Sequence, residues 1–351
     1  RILYQLALDK GNQYLGQSRG DLAIEAFKMA IQHQPQAAEA HMMLGYTYRV
    51  VASTEMIAEA KAELRQAVAL DPNLAWARFY LARIYVDLGR LGKAKVELTE
   101  ALRIDEKNPF FLAFLGDVNR QFGDPNLSIQ LNVKAVEISP SLSLAHYYLG
   151  LAYNDLDQRD QALREFETAV ECPQVLPEMH VALGSSYTAA ERYSEAIRQF
   201  ERALELDPNR AESHLNLAKA YRLSDRPDLA EKELRLLKES PQIQIQSPYF
   251  QEICAEASFE SGLINRSQGK MSQARESFLE AVEVKQSYGL AHRQLAEVLF
   301  LLEEYSEALR HATKAEELGN PLEPSLFNKI REKVPAGSEE SSSEKSRMDP
   351  R

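Results

Sequence analysis

The sequence is poor in the residue types on which most site chemistries depend. Two cysteines, Cys172 and Cys254, stand in 351 residues. That is too few for a disulfide framework or a thiolate zinc site, so nothing in the chain calls for an oxidising compartment. No apolar run nears the roughly 18 to 20 residues of a membrane span, and no charged, apolar, small-residue series marks a secretory leader. Positive charge is short: 41 Lys and Arg against 52 Asp and Glu leave a net charge of −11. Such a balance argues against a nucleic-acid or anionic-membrane binder, because phosphate recognition needs clustered cations. Glycine and proline number 15 each, far from a collagen-like or low-complexity composition. A Gly-rich phosphate loop, a His-Glu-x-x-His, a Gly-x-Ser-x-Gly and a Cys-x-x-Cys are all missing. These absences point away from an enzyme, a metal site and a bound cofactor. What is left, 44% hydrophobic and 26% charged residues, suffices for a folded core.

What is present is periodic. Small residues recur at Gly11, Gly45, Ala82, Gly116, Gly150, Gly184, Ala218, Gly262 and Ala296, with Gly116, Gly150 and Gly184 spaced by 34. Three residues after each comes Tyr14, Tyr48, Tyr85, Tyr153, Tyr187 or Tyr221, with Asn119, Asn265 and Leu299 in the remaining units. Two alanine columns follow. One runs Ala23, Ala60, Ala94, Ser128, Ala162, Ala196, Ala230, Ala274, Ala308, and the other Ala30, Ala67, Ala101, Ala135, Ala169, Ala203, Leu237, Ala281, Ala315. Between them Phe27, Leu64, Leu98, Asn132, Phe166, Phe200, Leu234, Phe278 and Ala312 form a third, and prolines close units at Pro35, Pro72, Pro140 and Pro208. Within one unit Leu144, Tyr147, Tyr148, Leu151 and Ala152 recur at helical spacing, then Ala162, Leu163, Phe166, Ala169 and Val170 repeat it. Each unit is therefore two amphipathic helices, here called A and B.

At these positions the chain resembles the tetratricopeptide repeat family. The resemblance implies an all-α, right-handed superhelical solenoid of about nine helix-turn-helix repeats, with a concave groove lined by the A helices. The units fall at about 4–37, 38–74, 75–108, 109–142, 143–176, 177–210, 211–244, 255–288 and 289–322. Three extra residues lie around Val51 to Thr54, and ten more between the seventh and eighth units leave 245–254 as an insertion or hinge, read as a loop and a lengthened helix. Leu326, Phe327, Ile330 and Val334 predict a capping helix over 323–334, and the Ser- and Glu-rich 335–351 is expected to be a disordered tail. Asn119, Ser128 and Asn132 make the fourth unit the most degenerate.

The family binds peptides, so the resemblance directs attention to the A-helix positions that share the groove face. Second and fifth positions give Trp76, Phe79, Phe110, Leu144 and Tyr147; ninth and twelfth positions give Tyr46, Arg49, Arg83, Arg120 and Leu151. This is a candidate peptide-binding groove: an aromatic floor edged by arginines, suited to apolar anchors and a carboxylate, the alternative being that some of these aromatics pack between the A helices of adjacent repeats. The carboxylate clamp of chaperone-binding members is not reproduced, since only Asn12 matches while Leu8, Met43, Trp76 and Tyr80 stand at its other places. The asparagine ladder of glycosyltransferase-linked members is reduced to Asn216. A second zone carrying Glu178, Ser185, Glu212, Lys219, Arg222, Glu256 and Arg266 reads either as a solvated, mixed-charge face or as a site for a mixed-charge partner. The histidines His41, His146, His180, His214 and His292 share the fourth position and read as packing residues, because neighbouring helix axes about 8–10 Å apart do not bring them around one ion.

The reading is a non-catalytic scaffold or adaptor for protein or peptide partners, without nucleic acid, direct membrane insertion or cofactor. The alternative is a regulatory or targeting segment of a larger enzyme or membrane-anchored assembly. Ile2, Leu3 and Leu6 suggest self-association through the end repeats. The expected location is the cytoplasm, although the chain starts at Arg1 without Met and is compatible with a removed leader or anchor.

Overall fold

The structure is a computed structural model that describes residues 1–51, 56–246 and 249–334, with the side chains of 244–246 outside that description. The expected three-residue insertion and the tail over 335–351 thus lie largely or wholly outside the described residues. Among the described residues there are twenty helices and no strand. They divide into two compact units, Arg1–Val175 and Leu176–Arg351.

The first unit holds five helix pairs. They are α1 (Ile2–Gly16) with α2 (Gly20–His33), α3 (Ala38–Val51) with α4 (Ile57–Leu70), and α5 (Ala75–Asp87) with α6 (Leu91–Ile104). Then come α7 (Pro109–Gln121) with α8 (Pro125–Ile138), and α9 (Ser143–Asp155) with α10 (Arg159–Glu171). The second unit pairs α11 (Pro177–Ala189) with α12 (Tyr193–Leu206) and α13 (Ala211–Leu223) with α14 (Pro227–Glu239). After the six-residue α15 (Pro241–Gln246), it pairs α16 (Phe250–Ser267) with α17 (Met271–Val284) and α18 (Gly289–Leu301) with α19 (Tyr305–Glu317), and ends in α20 (Pro324–Lys333). The stretch read as a loop before a lengthened helix thus contains a short helix of its own, and α16 runs for 18 residues.

The small-residue column explains the pairing. Gly11, Gly150, Gly184 and Gly262 each lie under the ring of Phe27, Phe166, Phe200 or Phe278, so closely that a Cβ on Gly184 would stand 2.7 Å from a Phe200 ring carbon. These phenylalanines are at most 1% exposed, and each contributes about 2–3 kcal/mol of burial. Both alanine columns are almost wholly buried, which lets a B helix touch its own A helix and the next one without a gap. Gly116 instead faces Asn132, whose Oδ1 is buried without a partner.

The turns from A to B share one device. The backbone N–H of Arg19, Arg90, Asp124, Gln158, Arg192, Arg226, Lys270 or Glu304 donates to the carbonyl five residues back, for instance Arg192 to Tyr187 at 2.8 Å. The residue before each donor has positive φ: Ser18, Gly89, Gly123, Asp157, Glu191, Asp225, Gly269 and Glu303. This is the Schellman closure, which satisfies a carbonyl the helix end would otherwise strand.

The histidine column is a set of braces between A and B helices. Nδ1 of His41, His146 and His214 lies 2.6, 2.7 and 2.8 Å from a carboxylate oxygen of Glu63, Glu165 and Glu233. The opposite nitrogen donates to the carbonyl of Pro35, Pro140 or Pro208 at 3.0 to 3.1 Å. His180 meets Gln199 at 2.8 Å, and Arg78 makes the same two contacts to Glu97 and the Pro72 carbonyl. These residues hold helices together, as their packing role anticipates.

Candidate functional site

Side by side, α3, α5, α7 and α9 carry a continuous aromatic network. Tyr46 and Tyr80 meet with tilted rings at 4.6 Å between centres, and Trp76 lies 5.7 Å from Tyr80, 5.1 Å from Phe111 and 6.1 Å from Phe110. Phe79 bridges to Phe114 at 5.3 Å, Phe114 to Tyr148 at 5.9 Å, and Tyr148 to Tyr147 at 5.5 Å. Such edge and tilted contacts make a packed aromatic layer. Trp76 is 38% exposed, whereas Phe79 is 4% exposed and gives its surface to the core. Tyr46, Phe110, Leu144, Tyr147 and Leu151 are half-buried, which leaves part of each on the surface. The candidate floor is therefore Trp76 with these five, and Phe79 is the support beneath them.

The three arginines divide by chemistry. Arg49 is held by Asp87 through Nε at 2.8 Å and a second nitrogen at 3.3 Å. Arg120 bonds Asp117 at 2.9 Å and Asp155 at 3.1 Å, and these two carboxylates outweigh its burial and raise its pKa. Both therefore act as struts from one A helix to the next. Arg83 has no such strut. Its guanidinium lies 5.4 Å from the centre of Phe114 and 6.0 Å from that of Phe79, within reach of cation–π attraction. Its Nε is buried without a hydrogen-bond partner. Among the described residues no carboxylate pairs with it. Burial and the neighbouring Arg49 charge lower the Arg83 pKa, against the opposite pull of Tyr148, Asp87 and Tyr46.

Sequence reasoning brought these positions to one face but missed what supports them. Tyr80, Phe114 and Tyr148 all occupy the sixth position, and a spacing of 34 between the last two was the available signal. Asp87 and Asp155 occupy the thirteenth, one residue beyond the positions read for the groove.

In the second unit the equivalent face is closed by its own ion pairs. Lys219 meets Glu256 at 2.7 Å, Arg222 meets Glu260 at 2.6 Å, and Arg266 meets Glu297 at 2.7 Å. Glu260 is 6% exposed. A cleft of about 580 Å³ opens between α13 and the start of α16, lined by residues that include Arg210, Asn216, Lys219 and Tyr249.

Farther along, His292 and His311 meet through their Nδ1 atoms at 2.8 Å beside a cleft of about 850 Å³. His292 Nε2 donates to the Gln286 carbonyl, so its Nδ1 accepts and His311 Nδ1 donates. Burial, with Arg310 and Lys314 nearby, lowers the His292 pKa; burial, Arg310 and His292 push His311 down to about 4. Cys172 and Cys254 are free, half-buried thiols whose pKa burial raises. No group of three or more His, Cys, Asp or Glu side chains is arranged to hold a metal among the described residues. None of the described helices is long and apolar enough to cross a membrane.

Sequence profiles for the tetratricopeptide repeat match residues 8–50, 53–116 and 255–288, and one for the TPR repeat matches 184–223. Among solved structures the chain is similar to the APC/C hetero-tetramer Cut9–Hcn1 at a TM-score of 0.57 and 21% identity, covering 67% of this chain and 48% of that one. It is also similar to pilF of Pseudomonas aeruginosa, with TM-score 0.48, 22% identity and coverage of 60% and 96%. For the MamA protein the values are 0.40, 25%, 48% and 91%. The first of these likenesses is one of fold. With repeat profiles recognised in both units, and helix pairs closed around the columns those profiles describe, the chain belongs to the tetratricopeptide repeat family.

Proposed function

We propose that the chain is a scaffold that binds a segment of a partner protein on the A-helix face of its first unit and performs no chemistry of its own. The observation that carries this is the strip of half-exposed aromatic and aliphatic side chains from Tyr46 through Trp76 and Phe110 to Leu144, Tyr147 and Leu151. Rigid aromatic surface backed by a packed layer gives contact area at little cost in side-chain entropy, which is the composition of binding hot spots. A net charge of −11 favours a protein partner over nucleic acid. We read the repeats over 4–322 as the binding array and 323–334 as its closing helix.

The test is affinity capture with the intact chain beside a Trp76→Glu, Tyr147→Glu variant of equal helicity, followed by titration of each captured protein into the intact chain. Trp76 is the sole tryptophan, so its fluorescence reports occupancy directly. A partner lost by the variant and quenching or shifting Trp76 emission is the expected result. Partners captured equally by both, with silent emission, would remove the function from this face.

A further inference from the structure

We propose that this face recognises one acidic side chain, Asp or Glu, inside the bound segment, and that Arg83 alone supplies the contact. This rests on the peptide-binding reading above. Three arginines lie along the strip, yet only one has unspent charge. The Arg49 fork closes on Asp87, and Arg120 lies between Asp117 and Asp155. Arg83 lies near Arg49 with no carboxylate of its own, its face over Phe114 and Phe79 and its Nε starved of an acceptor. Two guanidinium groups thus share the single charge of Asp87, which leaves an excess of one positive charge in a partly desolvated place. A buried charge without a partner is costly, and the ligand best able to relieve that cost is a carboxylate, whose oxygens match the planar donors of arginine.

The position of Arg83 along the strip says where in the segment the acid stands. Tyr46 lies one repeat before it, and Phe110, Leu144, Tyr147 and Leu151 lie one and two repeats after it. Apolar contact is on offer on both sides, so a segment runs across Arg83 and does not end there. The acid is therefore internal, flanked by apolar or aromatic residues, in contrast to a terminal carboxylate.

The experiment is selection from two random peptide libraries on the full chain, one displayed without free C-termini and one with them. Parallel selections use Arg83→Met, which keeps the length and packing of the side chain, and Trp76→Ser. The expected outcome is enrichment of peptides with one internal Asp or Glu between apolar residues, an acid preference that disappears with Arg83→Met. For a selected peptide, changing its acid to the amide should weaken binding to the intact chain about 10- to 100-fold, read by Trp76 fluorescence. The same change should have little effect on Arg83→Met, a non-additivity that a merely structural arginine would not produce. Peptides that need Trp76 but show no acid preference would overturn the carboxylate site and leave the binding face standing. A preference for free C-termini would overturn the internal placement. Enrichment indifferent to Trp76, or none at all, would overturn both the site and the reading beneath it.

Discussion

The A-helix faces of the two units use the same positions for opposite ends. In the second unit each cation at the ninth or twelfth position is matched by a carboxylate one repeat on, as Lys219 by Glu256, Arg222 by Glu260 and Arg266 by Glu297. In the first unit the twelfth-position Arg49 and Arg120 follow that pattern, but the ninth-position Arg83 does not, and the surroundings are aromatic. A repeat fold supplies a lattice of equivalent places. What distinguishes a strut from a receptor is whether the next repeat supplies the countercharge. A face whose charges are satisfied internally has less to gain from a ligand.

The largest test of this contrast is to remove a charge from each unit. Glu260→Gln strips the buried partner of Arg222 and leaves a guanidinium poorly compensated; a loss of about 2–3 kcal/mol in unfolding stability is expected from breaking a mostly buried pair. Arg83→Met removes a charge that has no partner and should leave stability unchanged or raised. Urea titrations of both variants followed by circular dichroism measure this. Similar losses in the two would mean that Arg83 is as much a strut as Arg222, and the contrast would collapse.

A second unsatisfied polar group lies in the first unit, at the degenerate repeat. Asn132 occupies the place that Phe166 or Phe200 fills elsewhere, bonds back to the Ser128 carbonyl and leaves Oδ1 buried without a partner. Asn132→Leu copies Leu64, which packs on Gly45. It should stabilise the first unit by about 1–2 kcal/mol by deleting an orphaned acceptor in favour of apolar contact. A loss of stability in the same titration would show that the pocket is shaped for an amide.

The sequence made some of this visible and hid the rest for physical reasons. Columns at Gly150, Ala162, Phe166 and Ala169 repeat because helix pairing constrains side-chain volume in every unit, so fold and groove face are legible from spacing. The state of Arg83 is not, because Arg49, Arg83 and Arg120 look alike as letters. Their difference lies in Asp87 and Asp155, which reach across from the next repeat. The burial of Phe79 belongs to the fifth position itself, where Leu8, Ala113, Val181 and Leu215 are buried as well, and the rings of Phe111 and Phe114 cover it.

A smaller effect separates the histidine braces by pH. Hydrogen bonding to Glu165 raises His146 in the first unit. In the second, burial would lower His214 but its bonds to Glu233 and the Pro208 carbonyl raise it. A raised histidine stabilises the fold fully below its unfolded pKa, near 6.5, and that contribution fades as pH rises through the folded value. His292 and His311 are lowered, so their contribution is present above about 6.5 and is lost on acidification toward about 4. Groups facing the pair include Arg310 and Lys314, with Glu283, Glu307 and Glu317 also lining the cleft. His311→Glu gives His292 the partner its counterparts have. Imidazole NMR should then show His292 titrating at higher pH, and the acid loss of stability between pH 6.5 and 4 should shrink. An unmoved His292 would mean that burial and the charges of Lys314 and Arg310 outweigh the new carboxylate.

The smallest effect compares turns. Among the described A-to-B turns the first unit uses Gly89 and Gly123 beside Ser18 and Asp157, whereas the second uses glycine once, at Gly269, and places Glu191, Asp225 and Glu303 at the same left-handed position. A side chain there costs about 1 kcal/mol through the contact of its Cβ with the backbone. Part of that is recovered because glycine loses more freedom on folding. Glu191→Gly should therefore raise stability by about 0.5 kcal/mol, and Gly89→Glu should lower it by a similar or larger amount. Both are read as shifts of the urea midpoint at constant slope. The pair of substitutions checks itself, since Schellman geometry demands opposite signs from removing and from adding a side chain at this position. If Glu191→Gly destabilised the chain, the Glu191 side chain would be making an interaction stronger than its backbone strain, and the two units would differ in turn chemistry as well as in charge.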